Sequence, residues 1–352
     1  MTVKVAQQSG EIVDALPRTT VIEMNGKNLV RTVSSVEGSN VIIHERKMLD
    51  FRHFRGVHKV ANIADFYTWT RLLGSGSFGS VHEAISCKSN VSCAVKIMQK
   101  RKVCKDRLGK ELVKKELSLL QSLDHPHIVH VLELLMDKYS IYCVMELMTH
   151  GDLMGVYDKI IMNGWSFTEK DAANIVKQIL MALNYMHRKG VVHRDLKMEN
   201  VMVEIEQDED GNSIIICKLT DFGFATLLEG RAGSKQKLGT PLYMAPEIIN
   251  GEVYDSKVDI WALGVLTYCL LSGGRFPFDD RTLYQLKHKI RNAPPDLSFV
   301  DRYSNADSLR NFMQQCLNKN KDERASAADL LQHEWLTGVY NHAKTELKES
   351  EL

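Results

Sequence analysis

The sequence predicts an α+β protein of two lobes, a small one built on an antiparallel β-sheet with one large helix and a larger one that is mainly helical. Strand-like stretches and tight turns dominate from about 66 to 147, broken by a single leucine-rich helical pattern. Helical periodicity takes over after about 150. The change falls at Glu146 to Asp152, a junction of the kind where ligands collect between two units.

Composition limits the function classes. The chain has 352 residues, 44% apolar and 25% charged, with a formal net charge of +1. That length supports more than one core, and that charge gives no whole-chain attraction to nucleic acid or an anionic membrane. Cys87, Cys93, Cys104, Cys143, Cys217, Cys269 and Cys316 are scattered without a C-x-x-C pair, which reads as free thiols in a reducing compartment. Residues 1–20 lack an apolar signal core, no long uncharged apolar run is present, and Thr2 replaces the glycine that myristoylation needs. The expectation is a cytoplasmic protein, the nucleus left open, with no membrane anchor and no nucleic-acid partner.

The elements follow in chain order. Residues 1–64 read as an N-terminal extension, partly β. Thr20 to Val33 alternates around Asn25-Gly26, a hairpin dipeptide, and Asn40 to Ile43 could add a strand. His44 to Lys59, rich in Arg, Lys and His, reads as a solvated connector. Strands flank a glycine-rich turn at 74–79, and another carries Cys93 to Ile97. A helix is predicted over about Lys105 to Leu123 with Leu108, Leu112, Leu117, Leu119, Leu120 and Leu123 apolar, ended by His125-Pro126. Strands at 128–136 and 140–147 precede a long amphipathic helix from Lys170 to His187, with Ile175, Ile179, Leu180, Leu183 and Met186 as its stripe. Gln207 to Ser213 reads as an exposed hairpin tip. Residues 337–352 form a short polar tail.

Four groups of residues carry chemistry. Gly74-Ser75-Gly76-Ser77-Phe78-Gly79-Ser80-Val81 lets backbone N–H groups approach phosphate with no Cβ in the way. Dinucleotide folds use the same glycines but open a helix there, whereas Ser80 to Ile85 reads as a strand. Lys96 stands in an apolar strand, where a cation needs an anionic partner; Glu116 on the leucine-rich helix is the expected one. His193-Arg194-Asp195-Leu196-Lys197-Met198-Glu199-Asn200 offers a carboxylate to take a hydroxyl proton, an amine to neutralise a moving phosphoryl group and an amide oxygen for a hard cation. Asp221-Phe222-Gly223, after the apolar strand Ile214 to Leu219, adds a second cation ligand.

In this order, with Ala245-Pro246-Glu247 behind them, these residues resemble the eukaryotic protein kinases over 66–336. The resemblance implies the two-lobed kinase fold, with a small lobe at about 66–146 and a large one at about 150–336. Asp259-Ile260-Trp261-Ala262-Leu263-Gly264 resembles the helix whose Asp braces the catalytic loop, and Arg324 resembles the arginine that pairs with Glu247.

Lys197 and Gly239-Thr240-Pro241-Leu242-Tyr243 resemble serine/threonine kinases. His125-Pro126-His127-Ile128-Val129 and Leu331 to Leu336 look most like the calcium/calmodulin-dependent group and its calcium-dependent relatives, here without EF-hands. The implied catalytic residues are Asp195 and Lys197. ATP would be held by Leu73, Gly74, Gly76, Gly79, Val81, Ala94, Lys96, Glu116, Glu146 and Met148, with Met145 as gatekeeper. Asn200 and Asp221 would hold Mg²⁺, with Mn²⁺ able to substitute.

Asp152 and Glu199 match positions that read a basic residue three before the acceptor, and Cys269 stands where some relatives carry a glutamate. Ser234 and Thr226 are the activation-loop phosphosite candidates. The implied partners are proteins with Ser/Thr acceptors, with room for a regulatory protein, and a monomer is expected. Two other readings compete: a pseudokinase scaffold that binds nucleotide or partners without catalysis, and a small-molecule kinase. The survival of Lys96, Glu116, Asp195, Asn200 and Asp221 speaks against the first, and the 245–264 segment against the second.

Overall fold

The computed structural model describes residues 19–24, 27–37, 40–44, 57–76, 79–103, 119, 121–207, 213–222, 226–227 and 240–338. The chain divides into two compact units, 1–53 and 54–352. In the first, β1 (Thr19–Met24), β2 (Lys27–Glu37) and β3 (Asn40–His44) form an antiparallel sheet in that order. Met24 lies opposite Lys27, the register of the hairpin anticipated at Asn25-Gly26.

The second unit begins earlier than the sequence suggests. Val57–Lys59 (β4), expected within a solvated connector, pairs in parallel with β8 (Val131–Met136), Val57 opposite Leu134. The physical reason is an edge: β8 would otherwise present an unpaired row of backbone groups. The sheet contains β5 (Tyr67–Gly76), β6 (Gly79–Ser86), β7 (Ser92–Gln99) and β9 (Ser140–Glu146), in the order β4-β8-β9-β7-β6-β5. Apart from β4, all neighbours are antiparallel. Val95 and Val144 of its central strands are fully buried.

A short helix, α1 (Lys100–Val103), follows β7. Of the predicted leucine-rich helix, residues 119 and 121–122 are helical, and Leu119 and Leu123 are buried in the core of the larger lobe. Its upstream part, with Glu116, lies outside the described residues.

The larger lobe is mainly helical. Helix α2 (Leu153–Met162) is capped by Asp152, whose Oδ1 accepts the Gly155 N–H at 2.8 Å. Helix α3 (Glu169–Arg188) opens with a reciprocal capping box between Thr168 and Asp171. Ile175, Ile179, Leu180, Leu183 and Met186, the stripe read from sequence, are all buried. After β10 (Val191–Val192), β11 (Val201–Gln207) and β12 (Ser213–Leu219) form a hairpin. Ser213, expected at an exposed tip, is instead buried at 3% exposure and is already the first ladder residue of β12, opposite Gln207. β13 (Thr226–Leu227) pairs with β10.

Next come α4 (Pro246–Asn250) and α5 (Lys257–Ser272). Helix α5 is buried on every side from Val258 onward, which places it in the middle of the lobe. It stops at Gly273, whose φ of 78° is the left-handed cap glycine favours. Trp261 stacks on Phe278 with ring centroids 5.7 Å apart. Helices α6 (Leu283–Asn292), α7 (Ala306–Cys316), α8 (Ala327–Leu331) and α9 (Glu334–Gly338) complete the lobe. Arg324 and Glu247, 1% and 2% exposed, form a two-pronged ion pair at 2.6 and 3.0 Å. Such a pair is costly to break because removing one partner leaves a buried charge. No described helix is long and apolar enough to cross a membrane.

Candidate active site

A cavity of about 490 Å³ separates the sheet from the larger lobe. Its roof comes from the β5–β6 hairpin and β7: Leu73, Gly74, Gly79, Val81, Ala94 and Lys96 all line it. Its floor carries Asp195, Lys197, Glu199, Asn200 and Asp221, and its back wall Met145, Glu146 and Met148, with Asp152 below them. So the described residues Leu73, Gly74, Gly79, Val81, Ala94, Lys96, Glu146, Met148, Asp195, Lys197, Asn200 and Asp221 converge on one space. Gly76 lies opposite Gly79 at the hairpin end. Ser234 lies outside the described residues, and Thr226 stands opposite Val192 in a β-ladder.

The glycines differ in what they permit. A Cβ on Gly79 would sit 1.7 Å from the Ile97 carbonyl oxygen, so the close approach of β6 to β7 admits no side chain there. Nothing lies within 4 Å of a Cβ on Gly74, which leaves that stretch of backbone open to the cavity.

Lys96 stands mid-sheet, opposite Val81 on one side and Cys143 on the other. Its Nζ lies 3.0 Å from Asp221 Oδ1, with the Asp221 side chain 44% exposed toward the open space. The expected partner Glu116 lies outside the described residues, and Asp221 is a carboxylate partner that the sequence did not assign to Lys96.

The floor is a polar network. Asp195 is 7% exposed. The Asn200 side-chain nitrogen donates to the Asp195 carbonyl at 2.7 Å and to Oδ2 at 3.1 Å. The Thr240 N–H and hydroxyl each donate to Asp195 Oδ1 at 3.2 Å. Lys197 Nζ lies 3.3 Å from Asp195 Oδ2 and donates to Thr240 Oγ1 at 3.2 Å. Thr240 is thus a site residue that sequence reasoning left without a role. It lies 45 positions from Asp195, and nothing in local spacing signals the contact.

Beneath this network, Asp259 on α5 accepts the backbone N–H of His193 at 2.9 Å and of Arg194 at 2.8 Å, and its Oδ2 lies 2.9 Å from His187 Nε2. Burial pushes the Asp259 carboxyl up, but the His187 hydrogen bond and charge, the His193 charge and the Arg194 amide outweigh burial and hold it below the ordinary carboxylate range. Asp259 therefore stays ionised and fixes the turn at Arg194, whose φ of 69° is left-handed for a residue with a Cβ, as is the φ of 58° at Asp221. His193 ties the two strained places together, its Nε2 3.1 Å from the Thr220 carbonyl oxygen and its ring 5.2 Å from Phe222.

The back wall has its own link. The Glu146 carboxylate accepts the His130 N–H at 2.7 Å and the Lys218 ammonium at 2.7 and 2.8 Å. Lys218 lies on β12, three residues before Asp221. From the sequence, Glu146 is expected only among the ATP-holding residues, and Lys218 carries no expected role.

Chemically, the space joins an apolar slot to a charged end. Leu73, Val81 and Ala94 face Met202 across a gap suited to a planar ring. At the other end, the Asp221 carboxylate and the Asn200 amide oxygen, left over once its nitrogen is committed to Asp195, are hard oxygen donors of the kind magnesium takes. Lys96 and Lys197 supply positive charge for phosphate oxygens.

A family model described as "Protein kinase domain" matches residues 67–336. The chain is 36% identical over 287 residues to mouse serine/threonine-protein kinase 33, covering 79% of this chain and 56% of that protein. It is 37% identical over 270 residues to Plasmodium falciparum calcium-dependent protein kinase 4, covering 77% and 49%. It is 38% identical over 275 residues to the calcium/calmodulin-dependent protein kinase cmkA of Emericella nidulans, covering 77% and 62%. The chain thus spans about half to three fifths of the length of these relatives.

Proposed function

This chain belongs to the protein kinase family, with serine/threonine kinases among its relatives, and from that premise we propose that it transfers the γ-phosphoryl group of ATP to Ser or Thr hydroxyls of proteins that carry a basic residue three positions before the acceptor. The observation that carries this reading is the meeting of Asp195, Asp221 and Lys96 on one cavity. Lys96 stands 99 positions before Asp195, and Asp195 stands 26 before Asp221; a shared task at one substrate accounts for all three charges there.

The Asp195 carboxylate takes the acceptor proton as its oxygen bonds to phosphorus, while the bond from phosphorus to the β-phosphate oxygen breaks and ADP leaves. Asn200, Lys197 and Thr240 hold that carboxylate in one orientation before substrate arrives, so little reorganisation remains for the chemical step. Lys96 and Lys197 stabilise phosphate charge. Asn200 and Asp221 would hold magnesium, or manganese in its place, which supplies further charge neutralisation when bound.

Asp152 and the exposed Glu199 both line the cavity and would supply the anionic site for a substrate arginine. Cys269 is 2% exposed and offers no charge where some relatives carry a glutamate, so little demand is expected for a basic residue two positions before the acceptor. Labelled phosphate from γ-labelled ATP and Mg²⁺ should enter a generic Arg-x-x-Ser peptide, and Asp195→Asn should abolish transfer. Equal labelling by the variant would remove Asp195 from the chemistry; no labelling by the parent chain would remove the kinase activity altogether.

A further inference from the structure

The chain itself contains the Arg-x-x-Ser pattern that the proposed function would accept. Among all arginines in the sequence, only Arg31 and Arg231 stand three positions before a serine or threonine, at Ser34 and Ser234. Ser234 lies outside the described residues. Ser34 lies on β2, the middle strand of the N-terminal sheet, and its place there is unusual. On the β3 side Val33 faces Ile43 and Ser35 faces Ile42, so the ladder breaks between them and Ser34 is the extra residue of a bulge. On the β1 side the described ladder runs only as far as Thr32, opposite Thr19.

Bulged residues leave the regular pairing while their neighbours stay extended. A serine placed so keeps an extended chain on both sides, the shape a cleft between two lobes can take in, and it already stands outside the regular pairing with β3. A three-stranded sheet of this size is also close to the lower limit of independent stability, so opening its centre costs little.

We propose that Ser34 is an autophosphorylation site, read through Arg31. This rests on the kinase reading above, with Arg31 as the basic residue that Asp152 and Glu199 accept. The Ser34 Oγ bonds to the γ-phosphorus of ATP, its proton passes to Asp195, and ADP departs with the electrons of the broken phosphorus–oxygen bond. A phosphate of charge near −2 then stands three residues from a guanidinium on a strand whose ladder is already broken. The N-terminal sheet becomes the place where the enzyme records its own activity.

The test uses the full chain with ATP and Mg²⁺, followed by mass spectrometry over time, beside the same assay on a peptide spanning Lys27–Glu37 and on an unrelated Arg-x-x-Ser peptide. Phosphate should accumulate on Ser34 and not on Ser35, and should be absent in Asp195→Asn. Arg31→Ala should slow Ser34 labelling about tenfold, the equivalent of one partly desolvated Arg–carboxylate contact, with labelling of the unrelated peptide unchanged. An active enzyme that labels the unrelated peptide but leaves Ser34 bare, or labels it as fast in Arg31→Ala, overturns the proposal and leaves the kinase reading standing. Failure to label the unrelated peptide as well overturns both.

Discussion

The floor and the roof of the cavity are built by opposite means. The floor is tied down before any substrate arrives: Asp195 is held by Asn200, Lys197 and Thr240, and the turn that carries it is held by the buried Asp259. The roof is an open hairpin, with Leu72 and Leu73 58% and 40% exposed, and Lys96 reaches down from it to Asp221. A fixed floor suits the step in which atoms must be aligned to fractions of an ångström. A lighter roof suits a nucleotide that must enter and leave on every turnover.

If that division holds, damage to the floor should appear in kcat and damage to the roof in the KM for ATP. The largest effect is expected for Asp195→Asn, which keeps the shape but removes the proton acceptor: kcat should fall by about 10³-fold or more with the ATP KM nearly unchanged, read by steady-state peptide phosphorylation. Next comes Asp259→Ala. It strips the His193 and Arg194 amides of a buried acceptor and should cost roughly 3 kcal/mol of stability, read by denaturant unfolding, together with a large loss in kcat. Lys96→Met should raise the ATP KM as well as lower kcat, by about 10²-fold in kcat/KM, without the stability loss of the floor variant.

Smaller effects probe the wall that joins roof to floor. Lys218→Met should leave the Glu146 carboxylate without its cation and raise the ATP KM roughly three- to tenfold, and Glu146→Gln should do the same with the two changes not additive. Additive effects would show that the ion pair does not orient the back wall. The smallest effect is one of pH. Burial, with the charge of His127, lowers the His125 pKa to about 4, against an ordinary 6.5. The unfolded chain therefore takes up a proton that the folded chain refuses, so stability should fall as pH drops from about 6.5 toward 4. His125→Gln should flatten that slope in urea midpoints measured across the same range.

How much of this was legible in the sequence depends on the range of the contact. The glycine hairpin, the α3 stripe, the β11–β12 hairpin and the charged residues of the cleft follow from local periodicity and motif spacing; the stripe is buried, and Lys96, Asp195, Lys197, Asn200 and Asp221 line one cavity. Among pairings at long separation, Arg324 with Glu247 and Asp259 with the catalytic loop came only through the family resemblance, and others did not show. Thr240 on Asp195, Lys218 on Glu146 and β4 on the edge of β8 join segments 45 or more residues apart, and no local pattern encodes which distant partner fills an open hydrogen-bond position. Ser213 failed for a simpler reason: a small polar residue in an acidic, turn-rich run reads as loop, and only the ladder with β11 shows it to be the first residue of a strand.

The division of labour between floor and roof is tested most directly by equilibrium titration of ATP with Mg²⁺ into the parent chain and Asp195→Asn, using calorimetry, alongside single-turnover transfer to a basic peptide. Both proteins should bind the nucleotide with affinities within about threefold of one another, while transfer by the variant falls by about 10³-fold. Loss of ATP binding in Asp195→Asn, or transfer at an undiminished rate, would contradict it.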